Sequence, residues 1–240
     1  MVKFIIIGGG GKVAQYFTKQ AVEEGHEVHS VIRNDGHSDE LKKIGAKIHI
    51  LSLEDASVPD FTSLFTEVNP DVVVFAAGAG GKEPGPDVID YQGAVKIFDA
   101  MESSNKKRLI LVGAVDVRTR DKGWPDWYND EDKSTSDRVW KAIPTYLDAK
   151  LKAEIELHKR KQIQFTVVRP GGLTLDSAGQ VQLGKTHLKQ TSRELVGKVI
   201  LAIATRKGLE GLTIDVMDGE GSIEDELTNV VDNEIDAWTG

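Results

Sequence analysis

The sequence contains no cysteine. That excludes disulfides, thiolate catalysis and cysteine–zinc sites, and it permits an intracellular home. It also lacks a long hydrophobic run. The longest uncharged apolar stretch, Val72–Gly81, falls far short of the roughly 20 residues that span a bilayer. The opening Met1–Ile7 passes straight into glycines, without the longer apolar run and small-residue cleavage site of a signal peptide. A soluble cytoplasmic protein is the expectation. Positive charge is in deficit: 30 Lys+Arg against 38 Asp+Glu leaves −8 at pH 7. This argues against nucleic acid or an anionic membrane surface as partner, since both call for a basic face. The six histidines, at 26, 29, 37, 49, 158 and 187, form no metal-ligand spacing, so no metal is expected. His26 and His29 flank a strand and read as surface or core filler.

What is present is a strict alternation of β-rich and helical runs over 240 residues, a length suited to one domain. The strands expected are Val2–Ile7, Glu27–Ile32, Lys47–Leu51, Val72–Phe75, Arg108–Val112, Ile163–Arg169 and Leu212–Val216. The helices expected are Lys12–Glu24, Ser38–Ile44 with Ser38 as a possible cap, Phe61–Val68, Val88–Ser103, Tyr146–Lys161, Ser192–Thr205 and Ile223–Val230. In the Val88–Ser103 helix the apolar stripe is Val88, Tyr91, Val95, Phe98 and Met101. Alternation of this kind means βαβ crossovers, hence an α/β fold with a doubly wound parallel sheet and helices on both faces. No internal repeat is visible. One long irregular stretch, Val115–Pro144, carries Trp124, Trp127, Tyr128 and the acidic run Asp130–Asp132. Loops of that length in a compact domain are functional or disordered.

Gly8-Gly9-Gly10-Gly11 lies between the first strand and the first helix. Glycines there let the backbone approach a pyrophosphate, and the helix N-terminus offers free N–H groups. Two registers fit, Gly9-x-Gly11-x-x-Ala14 and Gly8-x-x-Gly11-x-x-Ala14. A phosphate-binding P-loop does not fit, because Val13 stands where Ser or Thr must follow the lysine. The alternative is a tight turn with no ligand. Arg33, at the end of the second strand, suits the 2′-phosphate of NADP where an acid would suit NAD. Its alternative is a solvated strand-end charge. Lys12 is either a second phosphate contact or a plain surface lysine. Tyr146 and Lys150 stand four residues apart on one helix face. In a nicotinamide site the phenol moves a proton at a carbonyl or alcohol, while the lysine lowers its pKa and holds ribose hydroxyls.

These motifs, with Ala76–Gly81, Val88–Gly93, Tyr146–Glu154 and Val168–Leu173, resemble the atypical short-chain dehydrogenase/reductases. The similarity is to the branch of small NAD(P)-binding proteins classed with NAD(P)-dependent epimerases and related to the NmrA-like group. It spans most of the chain. The resemblance implies a single Rossmann-type domain over 1–240 that binds NADP(H). It implies Gly8, Gly10, Gly11, Lys12 and Val13 at the pyrophosphate turn, Arg33 at the 2′-phosphate, and Ala77 and Gly78 lining the cofactor. It places Tyr146 and Lys150 at the nicotinamide, Pro170 and Gly171 closing over it, and 115–144 and 173–190 on the substrate side.

Several positions depart from the family pattern. Typical members carry a serine at the end of the fifth strand that holds the substrate oxygen. Here Leu111–Val115 offers no hydroxyl, and Asp116 or a loop residue would have to substitute. Asp90 replaces the Asn of typical members, a swap this branch shares. It is read either as a catalytic group or as a first-turn carboxylate. Gly10 replaces an Asn, and Ser52 an acid expected near the adenine. Arg169 reads as a buried ion-pair residue, and Glu224–Asp236 as a solvated acidic face. Trp124, Trp127 and Tyr128 either line a pocket or pack the loop down. The expected function is an NADP(H)-dependent oxidoreductase or epimerase-like enzyme of this type acting on a small carbonyl or alcohol substrate, with oligomerisation allowed. A non-catalytic NADP(H) sensor and a flavin- or biliverdin-type reductase are the alternatives.

Overall fold

The computed structural model describes residues 1–240. The strands are β1 Lys3–Ile7, β2 Glu27–Ile32, β3 Lys47–Ile50, β4 Val72–Phe75, β5 Arg108–Val112, β6 Gln164–Pro170, β7 Gly172–Thr174, β8 Val181–Gly184, β9 Gln190–Ser192 and β10 Thr213–Asp218. The helices are α1 Lys12–Glu23, α2 Ser38–Lys43, α3 Val58–Val68, α4 Gly93–Ser103, α5 Asp130–Ala142, α6 Pro144–His158, α7 Arg193–Thr205 and α8 Ile223–Asp232. Eight strands form one sheet in the order β3-β2-β1-β4-β5-β6-β10-β8, and β7 pairs with β9 apart from it.

The apolar run Phe4–Ile7 of β1 is explained by burial on both faces. Phe4 and Ile6 enter a core shared with α1 and α7, while Ile5 and Ile7 enter one shared with α3, α4 and α6. Strand order reverses between β1 and β4, whose parallel pairing runs from Phe4–Val72 to Ile7–Phe75. That reversal opens a crevice at the strand C-termini, where such sheets bind ligands.

The structure corrects the sequence expectation in several places. The sheet is not wholly parallel: β8, unforeseen along with β7 and β9, joins antiparallel to β10 at one edge. Ser38 does not cap α2; it is the first helical residue, and a 3₁₀ turn, Asp35–His37, precedes it. Helix α3 starts three residues early because Ser57 and Asp60 form a reciprocal cap. Asp87–Gln92 is a π-helical turn leading into α4. Its extra residue per turn rotates the stripe, so Asp90 is buried while Val88 and Tyr91 are only half-buried.

The long irregular stretch is half helix. Its acidic run is the first turn of α5, capped by Asn129 and Asp132, which bond each other's backbone N–H at 2.9 and 3.0 Å. Acids are favourable at a helix N-terminus. The C-terminal acids are not all solvated either. Glu226 accepts the Leu183 N–H and Asp236 accepts the Thr213 N–H, each at 2.9 Å. No helix is long and apolar enough to cross a membrane.

Candidate functional site

The glycine turn is shaped by close backbone approach. Gly8 and Gly9 both donate to the Val31 carbonyl, at 3.1 and 2.9 Å. Gly8 has φ +84°, and a Cβ there would lie 2.6 Å from the Ala77 Cα, so only glycine fits. At Gly10 a side chain would meet the His37 ring. Gly11 precedes α1 with no side-chain cap, and the first backbone bond of the helix runs from Gln15 N–H to the Gly11 carbonyl at 2.9 Å. The N–H groups of Lys12, Val13 and Ala14 therefore have no backbone acceptor, the arrangement that receives phosphate. A glycine cradle that a Cβ would fill and an uncapped helix at the crevice both fit a dinucleotide pyrophosphate. The Val13 side chain is buried in the core, so only its backbone faces this turn. Lys12 and Arg33 are exposed, and neither has an acidic partner within 4 Å.

A chain of contacts joins this turn to the tyrosine–lysine pair. Gly8 abuts Ala77. Next along the chain, a Cβ at Gly78 would lie 3.1 Å from Asp90 Oδ1, and Ala79 N–H donates to Asp90 Oδ2 at 2.9 Å. Asp90 Oδ1 lies 3.0 Å from Lys150 Nζ, which also donates to the Val112 carbonyl at 3.0 Å. Both side chains are buried. Asp90 is thus a first-turn carboxylate of the π-helical segment, and it is buried against Lys150 and the turn after β4. Lys150 Nζ sits 5.8 Å from the centre of the half-buried Tyr146 ring. Burial disfavours the lysine's charge, but Tyr146 and Asp90 outweigh it and hold its pKa above the ordinary range.

Tyr146, Lys150 and Glu154 are spaced four apart on α6, which brings all three to its inner face. Glu154 is wholly buried and pairs with Arg169, as Nε–Oε2 at 3.0 Å. The expected buried ion pair of Arg169 is therefore present, and the Trp238 ring lies 5.5 Å from its guanidinium. This pair crowds Gly113: a Cβ there would lie 2.6 Å from Glu154 Oε1, which would have to shift to admit a side chain. Ala114, the next residue, packs with Tyr146 around Val117, Trp140 and Leu147. Asp116 is turned away by φ +63°, is buried, and is held by Arg118 Nε at 2.9 Å.

The two segments expected on the substrate side, 115–144 and 173–190, meet. Lys189 supplies the carbonyl that accepts Gly172 N–H at 3.2 Å, and it lies directly against Gly171. The Pro170 carbonyl accepts Val115 N–H at 3.0 Å. Asp132, 3% exposed, accepts from His187 Nδ1 at 2.6 Å and from Leu188 N–H at 2.8 Å. Trp124, Ile143, Leu173 and Leu175 are exposed on these same segments. Trp127 is half-buried beneath the Lys185 ammonium, whereas Tyr128 is buried, so it packs the loop down. Burial, then Asp116 and Asp215, push the Tyr128 hydroxyl far above its ordinary pKa. Asp215 is itself raised to about 7 by burial, against the pull of Arg169.

Asp132, His187 and Glu154 escaped the sequence reading. The Asn129-x-x-Asp132 cap and the acid four residues after Lys150 were the available signals; nothing local pointed to His187. His29 is buried, bonded to Glu27 at 2.7 Å and to His49 at 2.8 Å. No three His, Asp or Glu side chains are grouped to hold a metal ion.

Known proteins resemble this chain in sequence and fold. The chain is 37% identical over 237 residues to a UPF0659 protein of Schizosaccharomyces pombe, covering 96% of each. It is 25% identical over 232 residues to YhfK of Bacillus subtilis, an uncharacterized sugar epimerase, covering 94% of this chain and 99% of that one. Among solved structures it is similar to a Bacillus halodurans protein described as an NAD-dependent epimerase/dehydratase. That match has TM-score 0.79, 30% identity, and coverage of 95% and 100%. ChuY, an anaerobilin reductase of Escherichia coli O157:H7, shares the fold at TM-score 0.72 and 21% identity, with coverage of 91% and 98%. The profile of NAD(P)H-binding proteins matches residues 8–207, beginning at the glycine whose Cβ the Ala77 backbone forbids. On that match and the cradle it starts from, the chain belongs to the NAD(P)H-binding family.

Proposed function

We propose that the protein is an NADP(H)-dependent oxidoreductase acting on a carbonyl or alcohol with an apolar body. The observation that carries this reading is the unbroken run of contacts from the glycine turn through Asp90 to Lys150 and Tyr146. A bound nicotinamide supplies or accepts a hydride. Gly8, Gly11 and the first N–H groups of α1 hold the pyrophosphate, with Ala77, Gly78, Pro170 and Gly171 along the rest. Arg33, exposed and unpaired, favours a 2′-phosphate. Tyr146 gives a proton to the substrate oxygen, or removes one. Lys150, kept cationic, makes loss of the phenolic proton less costly. Asp90 acts through Lys150 and is a positioning residue. The exposed Trp124, Ile143, Leu173 and Leu175 suit an apolar substrate body.

A second reading, a non-catalytic NADP(H) sensor, is favoured by one observation: the β5 end is crowded at Gly113 and carries no hydroxyl-bearing side chain there. One experiment separates them. NADPH consumption is followed with aldehydes, ketones, quinones and flavins, with NADH as control, for wild type, Tyr146→Phe and Arg33→Ala. Tyr146→Phe should lower kcat by about 10²–10⁴-fold. Arg33→Ala should weaken NADPH about tenfold or more and leave NADH nearly unchanged. Full turnover in Tyr146→Phe would favour a flavin-type reductase working by positioning alone. NADPH binding without turnover on any of these substrates would favour the sensor.

A further inference from the structure

A carbonyl oxygen that gains charge during reduction is best met by more than one preorganised donor. Removing a single such donor in other enzymes costs about 10²–10³ in kcat. Tyr146 is one donor. The end of β5 cannot give the second: Gly113 has no side chain, Ala114 and Val115 are apolar, and Asp116 is an acceptor locked to Arg118.

One group on the substrate side is built for the task. His187 lies between β8 and β9, two residues before Lys189, whose carbonyl rests on Gly171. Its Nδ1 is held at 2.6 Å by Asp132, a carboxylate that is itself 3% exposed. Asp132 is fixed in turn by the N–H groups of Asn129 and Leu188, at 3.0 and 2.8 Å. The imidazole is half-exposed, with side-chain accessibility of 49%. A carboxylate that binds one ring nitrogen sets the ring's orientation and leaves the other nitrogen to work on a substrate. The two segments expected to bear the substrate are joined at Asp132, through His187 and the Leu188 N–H.

We propose that His187, oriented by Asp132, is a further catalytic residue that hydrogen-bonds the substrate oxygen through Nε2. This rests on the oxidoreductase reading above. In the reducing direction the carbonyl carbon takes a hydride from NAD(P)H and the π pair moves to oxygen. Tyr146 delivers the proton and regains one from solvent. The protonated His187 ring donates its Nε2–H to the same oxygen as charge builds. In the oxidising direction the neutral ring accepts from the alcohol. Asp132 is a positioning residue.

The test uses 4-nitrobenzaldehyde as probe, an aromatic carbonyl suited to the apolar rim. His187→Ala leaves the Leu188–Asp132 bond in place, so the loop keeps its tether. The variant should bind NADPH like wild type, lose about 100-fold in kcat, and recover part of it when free imidazole is added. A purely structural role would not give that rescue. Wild-type kcat in His187→Ala alongside an inactive Tyr146→Phe overturns the inference and leaves the oxidoreductase reading standing. The reverse pattern, with Tyr146→Phe active and His187→Ala impaired, supports His187 and removes the role given to Tyr146. A second readout does not depend on turnover. In ¹⁵N-histidine spectra of the NADP⁺ complex, the His187 Nε2 resonance should shift on addition of the probe. No shift overturns the inference.

Discussion

The glycine turn and the paired side chains beyond it are held together differently. In the first, the decisive contacts are made by one turn and its neighbouring strands: Gly11 to Gly8, Gly8 and Gly9 to Val31, Gly8 against Ala77. Each partner there is backbone. Beyond that turn the decisive contacts join groups far apart in sequence: the side chains of Arg169 with Glu154 and of His187 with Asp132, and Arg169 again with the backbone carbonyl of Ala237 at 3.4 Å. The first arrangement tolerates many sequences so long as glycines stand at the close approaches. The second depends on particular pairs, and a single substitution removes a partner as well as a side chain.

The comparison can be broken at either end. The largest effect is expected at Gly8. Gly8→Ala places a Cβ 2.6 Å from the Ala77 Cα in a left-handed conformation. NADPH affinity should fall about 100-fold or more, roughly 2.8 kcal/mol, and the strained turn should cost the free protein about 1–3 kcal/mol while leaving it folded. A variant that loses fold and binding together would show that the turn is not separable from the core. Next comes Gly113→Ser, which restores the family's hydroxyl. It should destabilise by about 1–3 kcal/mol in urea titrations, because the added atoms meet the buried Glu154 carboxylate. A variant as stable as wild type would mean that the Arg169–Glu154 pair can shift, and that the absence of serine is not enforced by packing.

The smallest effect is expected at Asp215, whose carboxyl is raised to about 7 by burial. The folded state therefore binds its proton more tightly than the unfolded chain does. The resulting cost is absent below the ordinary carboxylate pKa near 4, grows as pH rises, and is complete above about 7. Asp215→Asn should stabilise by about 1–2 kcal/mol at pH 8, and by progressively less as pH falls towards 4. Denaturation curves at the two pH values check the sign. A gain that is larger at low pH would refute the assignment.

Much of the sheet was legible because its signals are short-range. The runs Val2–Ile7, Val72–Val74 and Leu109–Leu111 mark strands buried on both faces, and the glycines that follow the first mark the crevice. The four-residue spacing of Tyr146 and Lys150 likewise survives as one face of α6. Other features were not legible. The π-helical turn changes which residue points inward, so Asp90 displaces the predicted stripe at that position. The short strands β7, β8 and β9 are too brief for periodicity to register, and β8 is fixed only by pairing with β10. Helix α5 was hidden because its first turn is acidic and its apolar residues are few.

The sequence by itself determined the α/β alternation, the place of the glycine turn and the shared helix face of Tyr146 and Lys150, because each depends on residues a few positions apart. The tertiary structure alone decided that Asp90 binds Lys150, that Glu154 crowds Gly113, and that Asp132 reaches His187. Those outcomes depend on which buried charges meet. A charge removed from water must find its partner wherever the fold brings one, however distant in the chain.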